Sequence, residues 1–224
     1  THLLETEKGL LDAIIQDRNV EVPPLDFDAR WELLRNGFKP YASCRATHAS
    51  IQAAKKLAPR IAGKTITRVH AQVHPNAIVA AGKLNPRTPL ECKFSVPFCI
   101  ALGLNGYRLV ATDFTDTVLQ DRAVTELVPR IEIEVVQDQA QHAAHMDVYL
   151  AGGERLHEDT EIVLGHADNP MSAEDFRAKF AGLVEPVLGA PQTAELYSLL
   201  DRFDEPGTFS KVMALLGDRS HAHP

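Results

Sequence analysis

Strand-like stretches crowd the middle of this chain and do not alternate with helices. Thr65–Val73 is rich in β-branched residues, and Ile131–Val136 alternates apolar with acidic side chains. Met146–Leu150 and Thr160–Leu164 are two more short runs, joined through Gly152-Gly153 as a long hairpin. A doubly wound nucleotide fold would alternate strand with helix and place a glycine-rich turn after its first strand, and neither pattern is found here. Helical spacing governs both ends instead, with Leu10, Leu11, Ile14 and Ile15 in the first stretch and residues 172–216 in the last. The class is therefore α+β, a mixed middle flanked by helices.

Local signals place several helices. A short one is expected over Asp28–Arg35 and another over Thr47–Ala58, stopped near Pro59. Thr88, Pro89 and Glu91 have the layout of a capped start, which predicts a mostly buried helix to about Leu104 with a kink or break at Pro97. Asp121–Val128 reads as a further short helix. Ser172–Asp175 is a second capping-box start, and the helices after it are interrupted at 186–191 and 205–207.

Charge and cysteine usage exclude some classes of function. The net charge of −7 comes with no basic run, which argues against a nucleic-acid partner. No apolar run approaches the roughly 20 residues that span a bilayer, so no membrane partner is expected. Cys44, Cys92 and Cys99 are odd in number and have no CxxC spacing, which fits neither a disulfide framework nor a zinc knuckle. A reducing, cytoplasmic setting follows. The first residues have no secretory pattern and no initiator methionine, so the expectation is a trimmed chain or a piece of a longer one.

The stretch Phe38–His48 carries the most chemistry. It packs Lys39, Tyr41, Cys44, Arg45 and His48 into eleven residues after Gly37. Lysine and arginine clamp carboxylates, arginine through two parallel hydrogen bonds. A histidine can move a proton near neutral pH. A solvated loop with two cations and a capping histidine would have the same spacing, so spacing alone does not assign it. His70 with His74, and His142 with His145, lack a third ligand, so no metal site is expected. Lys93 reads as a structural lysine on an apolar helix.

Three segments, in order, resemble the MmgE/PrpD family. Residues 38–48, FKPYASCRATH, are similar to its FKPYxxCRxxH stretch. Residues 85–98, NPRTPLECKFSVPF, are similar to its NPxTxxEAKFSxPY stretch, and Asn169-Pro170-Met171-Ser172 with Lys179-Phe180 to its late ENPMS…KF stretch. The resemblance implies a helical domain with a smaller α+β lid and the active site between them. By that plan residues 1–44 hold a helical segment and the active-site loop, 45–168 the lid-like domain, and 169–224 C-terminal helices of the helical domain.

The resemblance also implies a cofactor-independent lyase on small polycarboxylic acids, most simply a 2-methylcitrate dehydratase, working as a homodimer. Lys39 and His48 then fall in the catalytic set, and Tyr41, Cys44 and Arg45 in the substrate-binding set. Cys44 stands where cis-aconitate decarboxylases carry a histidine, which points toward a dehydratase or isomerase. Family members are longer, and their N-terminal half supplies an acidic residue and histidines to the site. A lid fragment without catalysis, a split enzyme completed by a separate N-terminal half, a family epimerase and a decarboxylase remain as alternatives.

Overall fold

The helix α1, His48–Ile61, is amphipathic, and its inward side chains Ile51, Ala54, Leu57 and Ile61 are all buried. The computed structural model describes residues 31–217. Two units make up the chain, residues 1–35 and 36–224. In the first, a 3-10 turn covers Glu32–Arg35. The helix expected over residues 5–17, and the start of that over 28–35, lie outside the described residues. In the second unit α1 runs through Pro59 instead of stopping there. A proline in the last turn removes a single backbone hydrogen bond, and Ile61 beyond it is held in the core.

Strand β1, Ile66–Val73, follows, with Val69, Ala71 and Val73 buried on one side. The chain then forms α2, Pro75–Ala81, a helix that the sequence pattern does not announce. The His74 side chain caps it, its Nδ1 accepting from the Asn76 amide at 3.1 Å. Thr88 caps α3, Pro89–Cys92, as its residues predict, with Oγ1 accepting from the Glu91 amide at 3.2 Å. The break comes at residues 93–95, before the proline. Ser95 then caps a new helix, α4, Val96–Leu104, in which Pro97 occupies the first turn, where its missing N–H costs nothing. All nine residues of α4 are buried.

Short helices α5, Asp116–Leu119, and α6, Arg122–Leu127, lead to strand β2, Ile131–Val135. Strands β3, Ala144–Leu150, and β4, Arg155–Thr160, complete the sheet. The strand expected over Thr160–Leu164 thus lies several residues earlier, joined to β3 by a tight turn in which the Leu150 amide donates to the Glu154 carbonyl at 2.9 Å. The polar sequence of β4 hid it. Only Leu156 and Thr160 are buried there, and its exposed side carries an ion pair of Arg155 with Asp147 and a hydrogen bond between His145 and Asp159.

Strand order is β2-β1-β3-β4, with β1 parallel to β2 and the other pairs antiparallel. Val69 pairs with Ile131 on one side and Val148 on the other, and Ala71 with Ile133 and Met146. The apolar face of this sheet packs on α1, and α1 on α4, which makes the α+β core. Burying a side chain such as Ile51 or Ile100 in it stabilises the fold by about 1.5–3 kcal/mol.

Three helices follow: α7, Ala173–Leu188, α8, Ala190–Leu200, and α9, Thr208–Gly217. The capping box at the start of α7 is present, with the Asp175 amide donating to Ser172 Oγ at 3.1 Å and the Ser172 amide to Asp175 Oδ2 at 2.9 Å. Leu196, Leu199 and Val212 form a small second core with Phe180. No helix among the described residues is long and apolar enough to cross a membrane.

Candidate active site

The loop before α1 has little regular structure of its own, so its backbone groups must find partners elsewhere. It finds three. The Phe38 amide donates to the Gly165 carbonyl at 2.7 Å, the Ala42 amide to Leu109 at 2.8 Å, and the Cys44 amide to Lys93 at 2.8 Å. The Phe38 ring also meets Phe176 of α7 edge-on, with centroids 4.8 Å apart. Gly165 permits the first of these contacts. Its φ is +82°, and a Cβ there would run into the Phe38 carbonyl. Inside the loop the Ser43 and Thr47 hydroxyls lie 2.8 Å apart, and Thr47 donates to the Cys44 carbonyl at 2.8 Å.

This scaffold sorts the loop side chains by depth. Lys39 is exposed, Cys44 and Arg45 are half-buried, and Tyr41 and His48 are buried. Tyr41 stands edge-on to the His48 ring at 5.2 Å. Burial, with Asp175 adding to it, pushes the Tyr41 phenol up to about 12. The sequence offers His48 as a proton carrier, yet the structure gives it a ring with no exposed surface. Burial presses its pKa down to about 4, against the pull of the Ser43 carbonyl and with help from Lys39, Arg45 and Lys179. Nε2 of His48 lies 3.4 Å from that carbonyl, and Nδ1 has no hydrogen-bond partner among the described residues.

Cys44 and Arg45 line a cleft of about 360 Å³ together with Asn76 and His142. Sequence spacing had grouped His142 with His145. The fold separates them, because His145 lies in β3 and pairs with Asp159 at 2.7 Å. His142 precedes the strand and lies tilted against His166, with centroids 5.7 Å apart. Partial burial holds its pKa down, with Arg45, His166 and His74 adding to that. A neutral imidazole thus lies in the same cleft as an arginine, and no local motif announces it. Cys92 and Cys99 are buried thiols pushed up to about 11 and about 12, chiefly by burial. Lys93 has its Nζ 5.4 Å from the Phe114 ring centre, and its carbonyl accepts from the Cys44 amide at 2.8 Å. Among the described residues, His145, Asp159 and Glu161 bring possible ligand atoms within 4.8 Å of one another, two of them already hydrogen-bonded to each other.

A small α+β domain whose loop presents a lysine, a cysteine and an arginine beside a histidine-lined cleft is the setting in which the comparison with known families falls. The family model of the MmgE/PrpD C-terminal domain matches residues 41–203, well over half of the chain. The chain belongs to the MmgE/PrpD family, and to its C-terminal domain in particular. No curated protein gives a significant match.

Proposed function

We propose that this chain supplies one wall of the active site of a lyase that dehydrates or hydrates a small polycarboxylic acid, of the 2-methylcitrate dehydratase type. The observation that carries this reading is the fixed loop, which brings Arg45 and Cys44 into one cleft with a neutral histidine. Removal of water breaks a C–H bond next to a carboxylate and a C–O bond on the adjacent carbon, and forms a double bond between them. The proton needs a base, the departing hydroxide needs a proton, and the carboxylates need cations. Arg45 suits a carboxylate and the enolate-like charge that develops on it. Lys39, exposed at the loop's edge, is a second such cation and a proton donor for the leaving hydroxyl. His142 suits the base, since an imidazole is useful there only when neutral. Tyr41 and His48 act beneath the loop by holding its shape, and Cys44 fills the cleft wall beside the substrate.

The test is calorimetric and thermal-shift titration with 2-methylcitrate, cis-aconitate and succinate, since a ligand that binds the native state raises its apparent stability. Stabilisation by one tricarboxylate that is lost in Lys39→Ala and Arg45→Gln supports the assignment. Binding that survives both substitutions refutes it. A second reading, a lid that works only with a separate helical half or another subunit, rests on the exposed apolar side chains of α7 and α9, including Val187, Phe209 and Met213. Activity that appears only on mixing with such a half would select it.

A further inference from the structure

Pro40, Tyr41 and Ala42 line a second cleft, of about 250 Å³, which shares no residue with that of Cys44 and Arg45. Three cations reach it from three separate elements: Lys55 of α1, Arg108 of the loop after α4, and Lys179 of α7. The lining also has an apolar part, with Val110, Leu164 and Met171. The acidic side chain in the lining is Asp175, and its carboxylate is engaged by the backbone and hydroxyl of Ser172 at 2.9 and 2.7 Å. Lys55 gives a hydrogen bond to the Tyr107 carbonyl at 3.1 Å and keeps two N–H groups for other partners. Among the described residues neither Arg108 nor Lys179 is in an ion pair.

The residue after Arg108 has a strained backbone. Leu109 has φ +58° and is fully buried. A left-handed conformation at a bulky residue costs on the order of 1–3 kcal/mol and persists only where the surroundings enforce it. The Leu109 side chain sits in the core, its carbonyl takes the Ala42 amide at 2.8 Å, and the residue before it is left exposed at the cleft. Like charges in one cleft repel one another, and Arg108 acts on Lys55 in this way. Burial lowers the pKa of Lys55, Asp113 opposes this, and Arg108 adds to it. An anion between these groups would relieve that repulsion, and a hydrocarbon body would cover the apolar wall.

We propose that this cleft binds a small organic anion, its acid group clasped by Arg108, Lys55 and Lys179 and its carbon chain laid on Val110, Leu164 and Met171. The inference goes beyond the lyase reading and does not depend on it, since the two clefts have no residue in common. Carboxylate and phosphate share the chemistry of the cationic end. The apolar wall selects a carboxylate with a carbon body, for which glutarate is a probe of suitable length.

Glutarate and inorganic phosphate are titrated calorimetrically into the full chain at low salt, and into Arg108→Gln, Lys179→Gln and Arg45→Gln. The expected result is saturable glutarate binding, weakened about tenfold or more by Arg108→Gln and severalfold by Lys179→Gln, and changed by less than about twofold in Arg45→Gln. Circular dichroism checks that each variant folds, and Lys179→Gln carries the test if Arg108→Gln does not. Absence of saturable glutarate binding overturns the proposal. So does an affinity that drops as far in Arg45→Gln as in Arg108→Gln, which would place the anion in the other cleft. Phosphate binding as tightly as glutarate overturns the assignment to an organic ligand.

Discussion

Replacing Gly165 by alanine tests whether the loop that carries Lys39 is anchored by the segment that follows β4. The residue sits at φ +82°, and its own carbonyl receives the Phe38 amide at 2.7 Å. An alanine there carries about 1–3 kcal/mol of backbone strain. Its Cβ also meets the Phe38 carbonyl, so the two segments must part and the hydrogen bond is lost, at about 1 kcal/mol more. The sum is about 2–4 kcal/mol, or roughly 4–16 °C in the unfolding midpoint for a chain of this size. Gly63 is the control. It has φ +73°, and a Cβ added there would meet no atom within 4 Å, so Gly63→Ala carries the same kind of strain alone, about 1–3 kcal/mol, without the clash and the lost hydrogen bond. Thermal and urea unfolding by circular dichroism compare the two, while hydrogen exchange reads the Phe38 amide directly. Gly165→Ala is expected to lose more stability than Gly63→Ala and to expose that amide. Equal losses, with Phe38 still protected, would refute the anchoring argument.

Three further outcomes are expected. His48 binds its proton far more weakly when folded, at about 4, than in the unfolded chain, so its contribution to stability is complete above about pH 6.5 and is lost as pH falls toward 4. The loss amounts to about 3 kcal/mol at most, and His48→Gln should flatten the pH dependence of the urea midpoint between pH 7 and 4.5. Asp147, largely buried, accepts from Arg155 at 2.9 and 2.8 Å and pairs with His157 at 2.7 Å, so Asp147→Asn should cost about 2 kcal/mol, and an unchanged midpoint would show the ladder to be idle. Lys39→Ala in an active assembly should lower turnover by orders of magnitude with the circular dichroism spectrum unchanged, and near-normal turnover would remove Lys39 from the site.

What the sequence made legible was local. The caps at Thr88 and Ser172 were readable because a capping residue and its partner lie within three positions. β-branched residues revealed β1, and the alternation of apolar with acidic side chains revealed β2. Strand β4 escaped because its side chains are mostly polar and pair across to β3, which leaves no apolar run behind. Pro59 misled for a related reason: a breaker is overridden when a residue such as Ile61 is held by the core. The family motif located the loop, but only the fold shows that Tyr41 and His48 face inward while Arg45 shares a cleft with His142, a residue that local spacing assigned elsewhere.

The topology of the sheet also sets an order of events. Strands β3 and β4 are joined by a tight turn and can close early, whereas the central strand β1 must find β2 and β3 across long stretches of chain. Pairings of that kind are slow, because loop-closure entropy is spent before they return any stabilisation. The Phe38 amide, for its part, waits for a carbonyl that lies beyond the end of β4. The loop before α1 therefore cannot take its final shape until the segment beyond β4 is in place, and until then Lys39 and Arg45 lie on a stretch of chain without that anchor.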